Sequence, residues 1–252
     1  MIPWKGKFFM ILHLIACQVF YREVSYLASQ SKQITSVSWM PQGMHDTPDL
    51  LRKNLQSEID RLDLALENGT LRHRPDYLLL CYGLCSNGVA GLSSRHYPLV
   101  IPRTDDCIGI FLGSQARYLR EFSRYPGTYW LNNGWLEAAS LPGSQNPEQQ
   151  RQAYAEQYGE ENADFLLEQQ TAWVRQYSAC GYITSQVCDL APYREEAKDV
   201  AQRNHWNFRE IPGDITFLAR LLDGDFREEE VLLCPPGKTV TPSYDAKKLT
   251  FL

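Results

Sequence analysis

No apolar run in this 252-residue chain approaches the ~20 residues needed to cross a bilayer as a helix, so no membrane span is expected. There is no basic excess: the net charge is −5, which leaves no electrostatic footprint for nucleic acid. Paired Cys-x-x-Cys knuckles are missing, and so are the Walker pattern and the dinucleotide fingerprint, which argues against ATP and NAD. Neither a Ser-His-Asp arrangement nor a nucleophile elbow is found, and no internal repeat or low-complexity tract is present. The seven cysteines are an odd number and are not spaced as a disulfide scaffold. In a chain long enough to bury its own core, they read as reduced thiols in the cytoplasm.

What is present is ordinary globular composition, 44% hydrophobic and 22% charged, enough for one large or two small domains. The start, "MIPWKGKFFMILHLIAC", imitates a lipoprotein signal with Cys17 as the lipidated residue. His13 interrupts that run and no polar tether follows Cys17, so a buried strand over 8–16 is the better reading, with Met10 a second candidate start. A helix over 19–29 and a strand over 34–40 follow. Then "TPDLLRKNLQSEIDRLDLALENG" has Thr47 at the N-cap, Pro48 at the first helical position and leucines at helical spacing.

Apolar runs at 77–82 and 99–102 suit strands covered on both faces. A helix is expected over 107–127, and an edge strand over 128–131. Strand-helix alternation of this kind predicts an α/β fold, doubly wound around a mostly parallel sheet. The expected organisation is a first α/β half over 8–140, a Gln- and Glu-rich helical insertion or bridge over 141–178, and a second α/β half over 179–240. The two halves could be separate lobes, and the tail beyond residue 239 is expected at the surface.

Ligands of open parallel sheets gather beyond the carboxyl ends of the strands. Cys17, Cys85 and Cys107 each fall where a strand ends, and His45 follows the second strand. Three thiolates and an imidazole suit tetrahedral zinc, and three thiolates suit an iron–sulfur cluster with one open iron. Cys81 lies within a strand and reads as core, while Cys180, Cys188 and Cys234 read as packing. The glycine-rich "YGLCSNGVAG" offers backbone N–H groups for an anion, with Asn87 and Gly88 at its centre.

Arg103 is a candidate clamp for a carboxylate or phosphate, and would also favour a neighbouring thiolate. Of the two aspartates at 105 and 106, one suits a helix cap and the other acid/base work; Asp106 is taken as the catalytic candidate. "PGTYWLNNGWLE" suits a ligand wall, with Glu137 as a second acid/base candidate. A metal-free cysteine nucleophile is the third possibility, with Cys85 or Cys107 attacking and His45 or His96 as base.

The ordered motifs "HLIACQVFYRE", "MPQGMHDTPDLL", "LCYGLCSNGVAGL", "LVIPRTDDCIGIFLGS", "PGTYWLNNGWLE" and "LLCPPG" resemble a bacterial and archaeal family catalogued as domain of unknown function 1638. The resemblance runs from about residue 10 to 240 and maps the family's Ala-Cys, Gly-x-Cys and Asp-Cys positions onto Cys17, Cys85 and Cys107, and its histidine onto His45. It implies a shared metal or cofactor site in the setting of anaerobic one-carbon metabolism, with a corrinoid-system protein as partner. The chain departs from the pattern at Ser86, where similar proteins carry glycine. The reading is therefore a metal- or iron–sulfur-binding protein acting in metal-assisted group transfer or cofactor handling. The alternatives are a non-enzymatic small-molecule module and the thiol enzyme.

Overall fold

The computed structural model describes residues 9–138, 141–142 and 147–252; the signal-like residues 1–8 lie outside them. The chain forms two units. One comprises the residues up to Leu119 together with Gly213–Leu252, and the other Arg120–Pro212.

The first unit opens with β1 (Ile11–Cys17), a 3-10 turn, α1 (Tyr21–Gln30) and β2 (Ile34–Met40). Then come α2 (Pro48–Glu67), β3 (Tyr77–Cys81) and β4 (Leu99–Pro102). Thr47 stands at the N-cap of α2 as expected, although its side chain makes no cap bond. Gly69, at φ +64, helps to close the helix. The sequence 107–127 is two helices rather than one: α3 (Cys107–Phe111) and α4 (Gln115–Arg124). Gly113 sits between them at φ +82, and a Cβ there would meet the Asp214 side chain at 2.7 Å. That close approach with left-handed backbone breaks the helix, as glycine permits.

The second unit, by itself, contains β5 (Thr128–Leu131), α5 (Asn133–Ala138), α6 (Pro147–Tyr158), α7 (Glu160–Ala172), β6 (Ala179–Thr184), α8 (Ala191–Arg203) and β7 (Asn207–Pro212). Its sheet is parallel, in the order β5-β6-β7. Leu131, Cys180, Tyr182, Ala197, Val200 and Trp206 form its core. Residues 128–138, expected in the first half, thus belong with β6 and β7, and α6 and α7 form the crossover between β5 and β6.

The chain then returns to the first unit with α9 (Thr216–Leu222), β8 (Val231–Cys234), β9 (Val240–Pro242) and β10 (Leu249–Phe251). The first sheet has the order β2-β1-β3-β4-β8. Its first four strands are parallel, and β8 runs antiparallel to β4. The fold is therefore α/β with mostly parallel sheets. The tail is not merely surface: β9 and β10 pair, and Val240 and Leu249 are fully buried.

Burial explains the layering of the first unit. The stripe Leu51, Leu55, Ile59 and Leu62 of α2 packs on Ile15, Leu78, Leu80, Leu99 and Ile101 of the sheet. Each such side chain, fully buried, contributes about 1.5–3 kcal/mol. Elsewhere in this unit, Phe20 stacks on Phe111, with centroids 4.3 Å apart, and α1 and α9 pack together. No helix among the described residues is long and apolar enough to cross a membrane.

His13 breaks the apolar run because it serves a polar cluster beneath α2. Its ring nitrogens bond the hydroxyls of Ser36 (2.8 Å) and Ser38 (2.9 Å). Ser38 in turn donates to Glu58 at 2.5 Å. Burial works against the Glu58 carboxylate, but hydrogen bonds from Arg61, His13 and Ser38 outweigh it and hold the group well below the usual carboxylate range. A depressed folded-state pKa contributes stability at neutral pH that is lost as pH falls below the unfolded value of ~4.3. Glu58→Gln is expected to lower stability by about 1 kcal/mol at pH 7, and the gap to wild type should narrow at pH 3 in urea denaturation.

Candidate functional site

In the strand order of the first sheet, β1 is flanked by β2 on one side and β3 on the other. The connections from β1 to β2 and from β2 to β3 therefore leave in opposite directions, and the carboxyl ends of β1 and β3 flank a topological switch point. That crevice is where open α/β sheets bind ligands. Cys17 is the last residue of β1, and Ala16 pairs with Cys81, the last residue of β3. The chain leaving β3 carries Tyr82 and Cys85 to the same rim.

Backbone docking brings Cys85 to Cys107. The amides of Leu84 and Cys85 donate to the carbonyls of Thr104 and Asp105, each at 2.8 Å. Gly83 makes this possible, because a Cβ there would lie 2.6 Å from the Thr104 carbonyl oxygen and 2.8 Å from the Asp106 Cα. Cys85, Ser86 and Asn87 then adopt φ of 46°, 55° and 67°. Asparagine tolerates this left-handed region; Cys and Ser enter it at a cost of ~1–2 kcal/mol each. Non-glycine strain of this kind concentrates at functional sites.

The sulfurs form one electrostatic neighbourhood. Burial pushes the Cys85 thiol up to about 12; Asp106 and Cys17 add to the rise, and N–H groups of Gly83 and Cys107 oppose it. Burial, Asp106, Cys85 and Cys17 raise Cys107 well above the ordinary thiol value. Cys17 is raised by burial, against the Val19 N–H and the Tyr82 hydroxyl. All seven cysteines are unpaired. Cys81 is fully buried core, as expected. Even so, no group of three or more His, Cys, Asp or Glu side chains among the described residues stands ready to hold a metal ion. The three thiols are neighbours without forming a closed coordination shell.

Tyr82 is the residue that sequence reasoning passed over. It is 4% exposed and packs in the same cluster as Cys85, with Cys17 against it. Its hydroxyl is buried beside the Cys17 thiol, whose pKa it helps to hold down, although the contact falls short of full hydrogen-bond geometry. Its place in "CYGLC", directly after a buried strand, was the available signal.

Arg103 departs from expectation. It is 7% exposed, and its guanidinium donates to the carbonyls of Glu228, Val231, Lys247 and Leu249. It fastens β8 and the tail, so it is not available to clamp an anionic substrate. Asp106 caps α3: Oδ1 accepts from the Ile108 amide at 2.9 Å and Oδ2 from the Tyr118 hydroxyl at 3.2 Å. Burial raises its pKa. The neighbouring Asp105 pairs with Lys248 at 2.7 Å.

His45 lies on a 3-10 turn with its ring 3.4 Å from Asp46 and its side chain 41% exposed. His96 precedes β4, at the amino edge of the sheet, where it bonds Glu67 at 2.8 Å; it cannot act as base for a thiol at the carboxyl edge. Asn87 ends the left-handed run and Gly88 follows it; the Asn87 carbonyl accepts from Arg52, and the Gly88 amide donates to the Cys85 carbonyl. Glu137 belongs to the second unit, on α5, where Tyr193 donates to it.

The sequence profile of the family described as protein of unknown function (DUF1638) matches residues 39–222. The chain belongs to that family. The match covers Cys85 and Cys107 and begins beyond Cys17. No curated protein and no solved structure matches the chain.

Two substitutions check the loop geometry. Ser86→Gly should stabilise the fold by about 1 kcal/mol, since glycine enters the left-handed region without the Cβ penalty. Gly83→Ala should destabilise by ~1–3 kcal/mol through the forced backbone shift, and thermal unfolding of both variants measures the pair.

Proposed function

We propose that this DUF1638 protein binds a thiophilic metal centre, zinc or an iron–sulfur cluster, at the switch point through Cys17, Cys85 and Cys107. The reading is carried by the placement of Cys17 at the end of β1 and of Cys85 and Cys107 beside the docked segments leaving β3 and β4, with backbone N–H groups opposing the rise of each thiol's pKa. Such N–H donors stabilise coordinated thiolate and tune the centre. A cation that exchanges for the thiol protons offsets the burial that chiefly keeps the sulfurs protonated. Loading would require the thiols to turn towards a common point. A centre of this kind supplies Lewis acidity or an open coordination position, so metal-assisted group transfer or cofactor handling is the role assigned to it. Free thiols of this sort belong in the reducing cytoplasm. The corrinoid-system partner belongs to the same proposal and comes from the family resemblance.

The same geometry weighs against the metal-free nucleophile. A reactive cysteine needs a cation or base that lowers its pKa, whereas burial and Asp106 drive Cys85 and Cys107 the other way. A small-molecule module without metal is the second reading, favoured by the lack of a closed ligand shell among the described residues.

Anaerobic purification followed by metal analysis and a visible spectrum separates these readings. The expected result is about one zinc, or one brown iron chromophore, per chain, and Cys85→Ser should weaken uptake at least tenfold. Because raised thiol pKa values must be overcome by the metal, uptake should fall steeply as pH drops. Colourless, metal-free protein that binds no added zinc would falsify the metal reading and leave the small-molecule module.

A further inference from the structure

The polar cluster beneath α2 contains a hydrogen-bonded chain whose direction is set from one end. Arg61 donates to both oxygens of the Glu58 carboxylate, at 2.8 and 2.6 Å, and an ionised carboxylate can only accept. The Ser38 hydroxyl therefore gives its proton to Glu58. With that proton spent, the Ser38 oxygen accepts from His13 Nε2 at 2.9 Å, so Nε2 carries the imidazole proton. Nδ1 is then the bare nitrogen, and it accepts from the Ser36 hydroxyl at 2.8 Å. Donation runs from Ser36 to His13, on to Ser38 and into Glu58. The free end of the chain is a serine oxygen held against a base of fixed tautomer, the relation that acyl-transfer enzymes build between nucleophile and histidine.

Two further features separate this chain from a polar cluster that merely packs. Ser36 is exposed while His13 is buried, so a reagent can approach the oxygen and the base stays shielded from water. β2 is also the edge strand of its sheet among the described residues. The Ile34 amide donates to the Met10 carbonyl. By the alternation of a parallel ladder, the amides of Ser36 and Ser38 then face β1, and that of Val37 faces the open edge. The residue after the serine thus presents an N–H where a developing oxyanion can be held. We infer that Ser36 is the nucleophile of an acyl-transfer site for small carboxylic esters, with His13 as general base, Ser38 and Glu58 positioning the imidazole, and the Val37 amide receiving the oxyanion. Ser36 Oγ bonds the carbonyl carbon as its proton passes to His13 Nδ1. The tetrahedral oxyanion collapses, the ester C–O bond breaks, and the leaving alkoxide takes that proton. Water then attacks the acyl group by the same route, releasing the acid and restoring the serine. The site shares no residue with the thiol rim and is independent of the metal reading.

The test treats the full chain with diisopropyl fluorophosphate, which phosphorylates an activated serine oxygen with loss of fluoride, and locates the label by peptide mass spectrometry. Hydrolysis of p-nitrophenyl acetate is followed in parallel. Native wild type is expected to take the label at Ser36, and urea-unfolded chain to take none. Ser36→Ala deletes one exposed hydroxyl; it should abolish labelling and slow ester hydrolysis about a hundredfold. Ser38→Ala breaks the relay without touching the nucleophile and should slow labelling about tenfold, while Ser38→Thr, which keeps the hydroxyl, should restore the rate. Ser57→Ala removes a hydroxyl that bonds the Lys53 carbonyl of its own helix, and should change neither rate. Native wild type that takes no label, a label carried on another serine, or equal labelling of wild type and a folded Ser38→Ala each overturns the assignment. Ser36→Ala serves alone if Ser38→Ala folds poorly: ester hydrolysis equal to wild type then overturns it.

Discussion

Two amide-to-carbonyl bonds hold the candidate site together: Leu84 to Thr104 and Cys85 to Asp105. They weld the segment leaving β3 to the segment leaving β4, and so place thiols from two different connections side by side. Gly83 is the condition for that weld, since any side chain there would collide with backbone. Thr104 is caught in the same contact, because a Cβ on Gly109 would touch its side chain at 3.0 Å. Glycine on both sides of one threonine lets three backbone segments approach more closely than ordinary residues allow. Once that approach is fixed, the chain has little room to turn after Cys85, and three successive non-glycine residues enter left-handed backbone.

Much of this architecture was legible because it depends on local chemistry. Alternating apolar runs and helical stripes gave the α/β class, and the end of each run marked the rim where Cys17, Cys85 and Cys107 stand. The failures share a cause: each depended on pairing between distant residues. A strand such as β8 reads alike whether it extends one sheet or another, and only its register with β4 reveals that it returns to the first unit. The tail looked like surface because polar residues separate its few apolar ones, yet Val240 and Leu249 are buried. Arg103 looked like a substrate clamp because a guanidinium beside a thiol is a familiar functional pattern. Its acceptors are backbone carbonyls more than 120 residues onward in the chain, and carbonyls leave no trace in sequence.

The electrostatics of the rim argue against a site that works as bare thiols. Burial raises all three sulfurs, and Asp106 and the other thiols add to the rise at Cys85 and Cys107. A single negative charge on any of them would oppose charge on the others, as like charges do at close range. A lone nucleophile would be better served by a histidine, but His45 is half-buried beside Asp46 and His96 is at the far edge. Crowded neutral thiols are what a metal-binding set looks like before protons are exchanged for a cation.

Ser86 connects strain with the site. The backbone here, at φ 55°, is the conformation that glycine accepts most easily. Serine keeps that conformation despite its cost, so the turn is imposed from outside the tripeptide rather than chosen by it. The imposing contacts are the docked amides on one side and the seating of Gly88 against Leu51 of α2 on the other, where a Cβ would come within 2.5 Å. The loop is therefore clamped at both ends by elements of the core, and Cys85 in its middle has little freedom to leave the rim. If the three thiols converge on a metal, Cys85 is the fixed point and Cys17 and Cys107 are the partners that adjust towards it.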